Sequence, residues 1–107
     1  MDTSPFLAMK QVEIQLKTVL RGVELESLDA VERKAAVDIK RLVVDIRLDI
    51  QDYELSETRE AQLKKAGAAK KGLAKLQANI LLAGSVFGPA DVAHMSAKLE
   101  QITGWII

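Results

Sequence analysis

Residues 28–53, LDAVERKAAVDIKRLVVDIRLDIQDY, carry the pattern that decides the fold class. Their apolar positions recur at steps of three, four and four residues, an eleven-residue repeat typical of a nearly straight helix. These positions are Leu28, Val31, Ala35, Ile39, Leu42, Ile46, Ile50 and Tyr53. In segments 12–16 and 44–50, apolar and polar residues also alternate as they do in half-buried strands, so a strand remains an alternative interpretation there. Because residues 32–41 are good helix formers in phase with the repeat, we predict a helix from Asp29 to Tyr53, about 37 Å long.

Three other stretches repeat apolar residues at steps of three and four, over residues 9–23, 66–80 and 92–106. Each follows a helix-start signal: Ser4 before Pro5, Ser56 or Thr58, and Gly88 before Pro89. We expect a break between residues 22 and 29 and a second break near residue 56. Without the second break, residues 29–83 would form one continuous helix.

The length of 107 residues fits one domain. We therefore predict that residues 1–107 form a single all-α domain, a three- or four-helix antiparallel bundle built on a long helical hairpin. Residues 1–8 lack the features of a secretory signal. The most apolar run, residues 80–87, is much shorter than the roughly 20 residues that span a bilayer. We expect a cytoplasmic protein with no membrane partner.

Charge and composition exclude several classes of function. Fifteen Lys and Arg balance fifteen Asp and Glu, which disfavours a nucleic-acid partner, and no aromatic residue lies among the lysines of residues 64–75 to stack on bases. The absence of Cys and the single His exclude thiolate catalysis and most His-based metal or triad sites. His94 follows Asp91 by three residues, but no nucleophile accompanies the pair. We predict a non-enzymatic protein without a cofactor.

Four aspartates, Asp38, Asp45, Asp49 and Asp52, share one face of the predicted second helix. One hypothesis is a carboxylate-metal or ligand-holding helical bundle. The di-iron pattern, however, needs glutamates and two Glu-x-x-His motifs, which the sequence lacks. The other hypothesis pairs the aspartates with lysines of the following helix, Asp49 with Lys64 and Asp38 with Lys75. We predict the ion pairs and no metal.

The apolar stripes also predict self-association. A chain this short buries a relatively small fraction of its surface alone, and the sequence is apolar near both ends. We expect a homodimer that acts as a protein-protein interaction module, a small helical adaptor or regulatory subunit for an unknown protein partner. The candidate contact residues, each of which could equally be ordinary core, are Met9, Leu42, Ile46, Met95 and Trp105.

Overall fold

A computed structural model describes residues 4–106 of the chain. These residues form α1 (Pro5–Arg21), a 3-10 turn (Leu25–Ser27), α2 (Ala30–Leu55), α3 (Arg59–Leu82), the single-turn α4 (Gly84–Phe87) and α5 (Pro89–Trp105). Residues 4–106 contain no strand, so the helical interpretation of segments 12–16 and 44–50 is confirmed. The predicted all-α bundle on a long hairpin is also confirmed.

The helix boundaries follow from local capping chemistry. The Ser4 hydroxyl accepts a hydrogen bond from the Leu7 N–H at 3.1 Å, and the Asp29 carboxylate accepts one from the Glu32 N–H at 2.8 Å. The Thr58 hydroxyl accepts from the Ala61 N–H at 3.1 Å, so α3 begins as a separate helix. Residues 29–83 are therefore a hairpin and not one continuous helix.

The four long helices close into one bundle. Helix α2 packs against α1 on one side and α3 on the other, and α5 packs against α1 and α3. The Ser85 hydroxyl donates a hydrogen bond to the Glu32 carboxylate and so ties α4 to the start of α2. None of the helices within residues 4–106 is both long and apolar enough to cross a membrane.

The core follows the predicted stripes with one correction on α2. The stripe residues of α3 are all buried, as are Met95, Leu99, Ile102 and Ile106 at the end of the last stripe. Val31, in contrast, is 59% exposed, while Ala36 and Val43 are buried although the eleven-residue repeat omits them. Because α2 faces both α1 and α3, its buried arc is wider than a single stripe.

Small residues allow α2 and α3 to approach closely. A Cβ atom at Gly72 of α3 would lie 2.7 Å from Cγ1 of the buried Ile46 on α2. A methyl group at this position would therefore overlap the Ile46 side chain. Gly67, one and a half turns earlier on α3, has open space around its missing Cβ.

Candidate functional site

The structure places the five candidate contact residues in two different environments. Met9, Ile46 and Met95 are at most 1% exposed and belong to the core of the single chain. Leu42 is 9% exposed and also lines an open groove between α2 and α3. Trp105, at 38%, has the most exposed side chain of the five.

The four apolar stripes cover one another within one chain. They form a single core of buried residues, and every buried side-chain nitrogen or oxygen of residues 4–106 has a hydrogen-bond partner. A single chain therefore buries its own apolar stripes and needs no second copy to do so. The homodimer stays a prediction, and its support comes from the apolar residues outside the core.

Large apolar residues remain exposed on several helices: Leu7, Ile14, Val31, Val37, Leu48, Leu55, Leu63, Leu81, Leu82 and Trp105. Single exposed apolar residues are common on protein surfaces, whereas a contiguous row marks a contact surface. Val37, Leu48 and Leu55 lie on the side of α2 that faces away from the core, and the partly buried Val44, which packs against the core, lies at the edge of that side. These four residues are called the outer stripe below.

The outer stripe has the spacing of a coiled-coil seam. With Arg41 and Gln51, its residues occupy positions 37, 41, 44, 48, 51 and 55, which alternate steps of four and three residues. This is the 3.5-residue repeat by which two helices pack along their length. The row spans about 27 Å at 1.5 Å per residue.

Two polar links hold α1 beside α2 and define one flank of the outer stripe. The Phe6 N–H donates to the Glu54 carboxylate at 3.1 Å, and the Arg47 Nε donates to the Glu13 carboxylate at 2.6 Å. Residues 47 and 54 each precede a stripe leucine by one position. The α1 side of the stripe therefore carries residues 40, 47 and 54.

Glu13 is the buried charged residue of the described chain, at 7% exposure. Burial raises the pKa of its carboxyl, but hydrogen bonds from Lys17 and Arg47, together with their positive charges, outweigh burial and lower it below the ordinary value. The Lys17 Nζ lies 2.8 Å from the carboxylate. Glu13 therefore stays ionised at neutral pH and ties α1 to α2.

The aspartates of α2 define the other flank, and three of them form ion pairs. Asp38 pairs with Lys34 at 3.0 Å and with Arg41 at 3.8 Å, both on α2 itself, and not with the predicted Lys75 of α3. Asp49 and Asp52 both pair with Lys65 of α3, at 3.7 and 3.2 Å. The cation is thus Lys65 and not its predicted neighbour Lys64, because Lys64 lies on the exposed side of α3.

Asp45 differs from the other three aspartates because it has no ion pair among the described residues. It lines the open α2–α3 groove of about 500 Å³ together with Asp38, Arg41, Leu42 and Lys75. A second groove of about 380 Å³, between α1 and α2, is lined by Lys17, Arg21 and Lys40. Arg41, which lies in the same row as the outer stripe, lines the first groove, and its neighbour Lys40 lines the second.

Metal binding is expected to be weak. Within residues 4–106, no three Asp, Glu or His side chains lie close enough together to hold one ion. Calorimetric titration with manganese or zinc should therefore show no saturable site, because isolated carboxylates bind these ions poorly. A site of micromolar affinity that disappears in Asp45→Asn would contradict this prediction.

Sequence reasoning missed the outer stripe and Glu13. A signal for the stripe existed in the 3.5-residue spacing of positions 37–55, but the inner repeat of α2 uses the same apolar residue types and obscured it. Glu13 offered no local signal, since its partner Arg47 lies 34 residues away. Comparison of the chain with models of protein families, with curated proteins and with solved structures gives no match.

Proposed function

We propose that this chain is a non-enzymatic interaction module that self-associates through the outer stripe of α2 and serves as a small helical adaptor or regulatory subunit. The observation that carries the proposal is the outer stripe itself. Three of its four apolar residues, Val37, Leu48 and Leu55, are exposed, and they extend along most of a long helix. Burying one such side chain contributes on the order of 1.5 to 3 kcal/mol, so the row favours a helical partner.

A second copy of the chain is the occupant that we propose, and the charge distribution is compatible with it. Equal numbers of acidic and basic residues give each copy no net charge, so two copies do not repel one another over long distances. Basic residues line the groove on the α1 side of the stripe, while the α2–α3 groove on the other side carries both signs. The surface around the outer stripe therefore presents charges of both signs to a second copy of the chain.

The non-enzymatic part of the proposal rests on the sequence, which has no Cys, one His and no recognisable catalytic motif. His94 lies exposed on α5, and Asp91 is exposed on the same helix. The apolar residues of α1 that the stripe does not include, Leu7 and Ile14, remain available to a different protein in this arrangement.

The test is the mass of the chain in solution, measured by light scattering coupled to size exclusion. We expect twice 11.7 kDa for the unmodified protein and a single-chain mass for Leu48→Lys, because a charge in the stripe stays unpaired in the contact. Leu63→Lys is the matched control, since Leu48 and Leu63 are 45% and 47% exposed but Leu63 lies on α3. It should leave the dimer intact.

Circular dichroism should show that both variants keep their helices, because each replaces an exposed side chain. A monodisperse 11.7 kDa species across micromolar concentrations of the unmodified protein would overturn the proposal. Equal dissociation of both variants would show that the contact does not use the outer stripe.

A further inference from the structure

We infer that the groove between α1 and α2 binds a soluble anion that carries two or more adjacent phosphate groups, such as pyrophosphate. The described residues that line this groove of about 380 Å³ are three cations, Lys17, Arg21 and Lys40. It is called the basic groove below. The inference is independent of the proposed self-association, because it uses no residue of the outer stripe.

Two helices supply the cations of the basic groove. Lys17 and Arg21 lie one turn apart on α1, and Lys40 lies on α2. The bond between the Glu13 carboxylate of α1 and the Arg47 Nε of α2, at 2.6 Å, holds the two helices side by side one turn before Lys17. An anion in the groove can therefore contact cations of both helices, which a row of lysines along one helix does not offer.

The positive charge of the basic groove exceeds the negative charge beside it. Glu13 is the only acidic residue of α1, and Lys17 and Arg47 share it. Arg21 and Lys40 form no ion pair among the described residues. Four cations beside one carboxylate leave three positive charges at this place in a chain whose net charge is zero.

The other carboxylates near α1 and α2 do not supply the missing charge. Those of α2 have other partners or line the α2–α3 groove: Glu32, Asp38, Asp45, Asp49, Asp52 and Glu54. Glu24 and Glu26, which follow α1, form no ion pair with the cations of the groove among the described residues. The C-terminus of α1 carries about half a negative charge, which offsets only part of the charge of Arg21. The basic groove therefore attracts a multivalent anion from solution.

The side chains of the groove suit phosphate groups. The arginine fork binds two oxygens of one phosphate at once, and a lysine ammonium adds a point charge. Three cations around one groove match an anion with several charges better than they match a single carboxylate. The lining contains no aromatic residue to stack on a base and no apolar residue to hold a lipid chain. The recognised group is therefore the phosphate itself.

Calorimetric titration with pyrophosphate at low salt tests the inference, with sulfate as the comparison that carries a single anionic group. We expect saturable binding of one pyrophosphate per chain and weaker binding of sulfate, which reaches fewer cations. Arg21→Gln/Lys40→Gln should raise the dissociation constant for pyrophosphate by about tenfold or more, because charge-assisted hydrogen bonds are lost. High salt should weaken the binding.

Lys64→Gln/Lys71→Gln is the matched control. It removes the same charge from two exposed lysines of α3, away from the basic groove. Screening limits the effect of distant charges, so this double variant should change the dissociation constant by no more than about twofold. Circular dichroism should show that both double variants keep their helices, because each replaces exposed side chains.

Three results would overturn the inference. The first is the absence of saturable binding, and the second is equal weakening by the two double variants, which would assign the attraction to net charge and not to the groove. The third is a single-stranded DNA oligonucleotide that binds more tightly than pyrophosphate and is released by Arg21→Gln/Lys40→Gln, which would assign the groove to nucleic acid. None of these results bears on the proposed function, which light scattering tests separately.

Discussion

Replacing Gly72 by leucine is expected to lower the free energy of unfolding by about 3 kcal/mol, the cost of overpacking a closed core. The Cβ of any residue at this position meets Ile46 Cγ1 at 2.7 Å. Ile46 is 1% exposed and belongs to the core, so a shift of its side chain would displace neighbouring core residues. The helices would have to separate, which weakens the contact between α2 and α3.

Alanine substitutions at Gly67 and Gly72 are expected to change the free energy of unfolding in opposite directions. In a helix alanine is more favourable than glycine by about 1 kcal/mol, so Gly67→Ala, with open space around its Cβ, should raise the free energy of unfolding by that amount. Gly72→Ala gains the same propensity but meets Ile46, and we expect a net loss of about 1 kcal/mol. The two substitutions are chemically identical and lie on one helix, which isolates the effect of the close approach.

Urea unfolding followed by circular dichroism measures these differences. All variants must be compared at one protein concentration, because self-association would add to the apparent stability. Stabilisation by both alanine substitutions would show that α2 and α3 do not approach closely at Gly72. Equal destabilisation by both would point to a property of glycine in α3 other than packing.

The helix boundaries were predictable because their signals are local. Ser4, Asp29 and Thr58 each accept a hydrogen bond from the N–H of the residue three positions later. Such capping motifs can be recognised from a few neighbouring residues of the sequence. Gly88 has a positive φ of 81°, which explains why a glycine stands before the proline that starts α5. Such signals do not depend on the rest of the fold.

The assignment of inner and outer faces on α2 was less predictable because it depends on distant partners. The helix carries apolar residues on both sides, with Leu42 and Ile46 inside and Val44 and Leu48 outside or at the edge. Periodicity alone shows two rows but not which row the other helices cover. Only the positions of α1 and α3 decide this, and they place the candidate surface opposite Ile46.

The lysine that pairs with Asp49 was also only partly predictable from the sequence. The register of the hairpin could be estimated to about one residue, which was enough to bring a lysine of α3 near Asp49. It was not enough to choose between Lys64 and Lys65, because one residue rotates a helical side chain by about 100°. Lys65 lies towards α2 and forms the pair at 3.7 Å.

Replacing Arg47 by methionine is expected to lower the free energy of unfolding by about 1.5 to 3 kcal/mol at neutral pH, the usual contribution of a hydrogen bond to a charged group. Methionine keeps much of the apolar stem of arginine but cannot donate to Glu13. The buried carboxylate would retain Lys17 as its cation, so it would remain charged with one partner fewer. Lys71→Met, which removes an exposed cation of α3, should change the stability little.

The loss caused by Arg47→Met should depend on pH in a defined direction. The pKa of Glu13 is lowered in the folded chain, so its contribution to stability is present above the ordinary glutamate pKa of about 4.3 and is lost as the pH falls through the lowered value. Without Arg47 the carboxyl keeps the penalty of burial and loses one stabilising charge, so its folded pKa rises towards the ordinary value. The unmodified protein should therefore lose more stability than the variant on acidification, and their difference should narrow below about pH 4. Urea unfolding at pH 7 and pH 3 measures this, and a difference that stays constant would assign the effect to packing of the Arg47 stem and not to its charge.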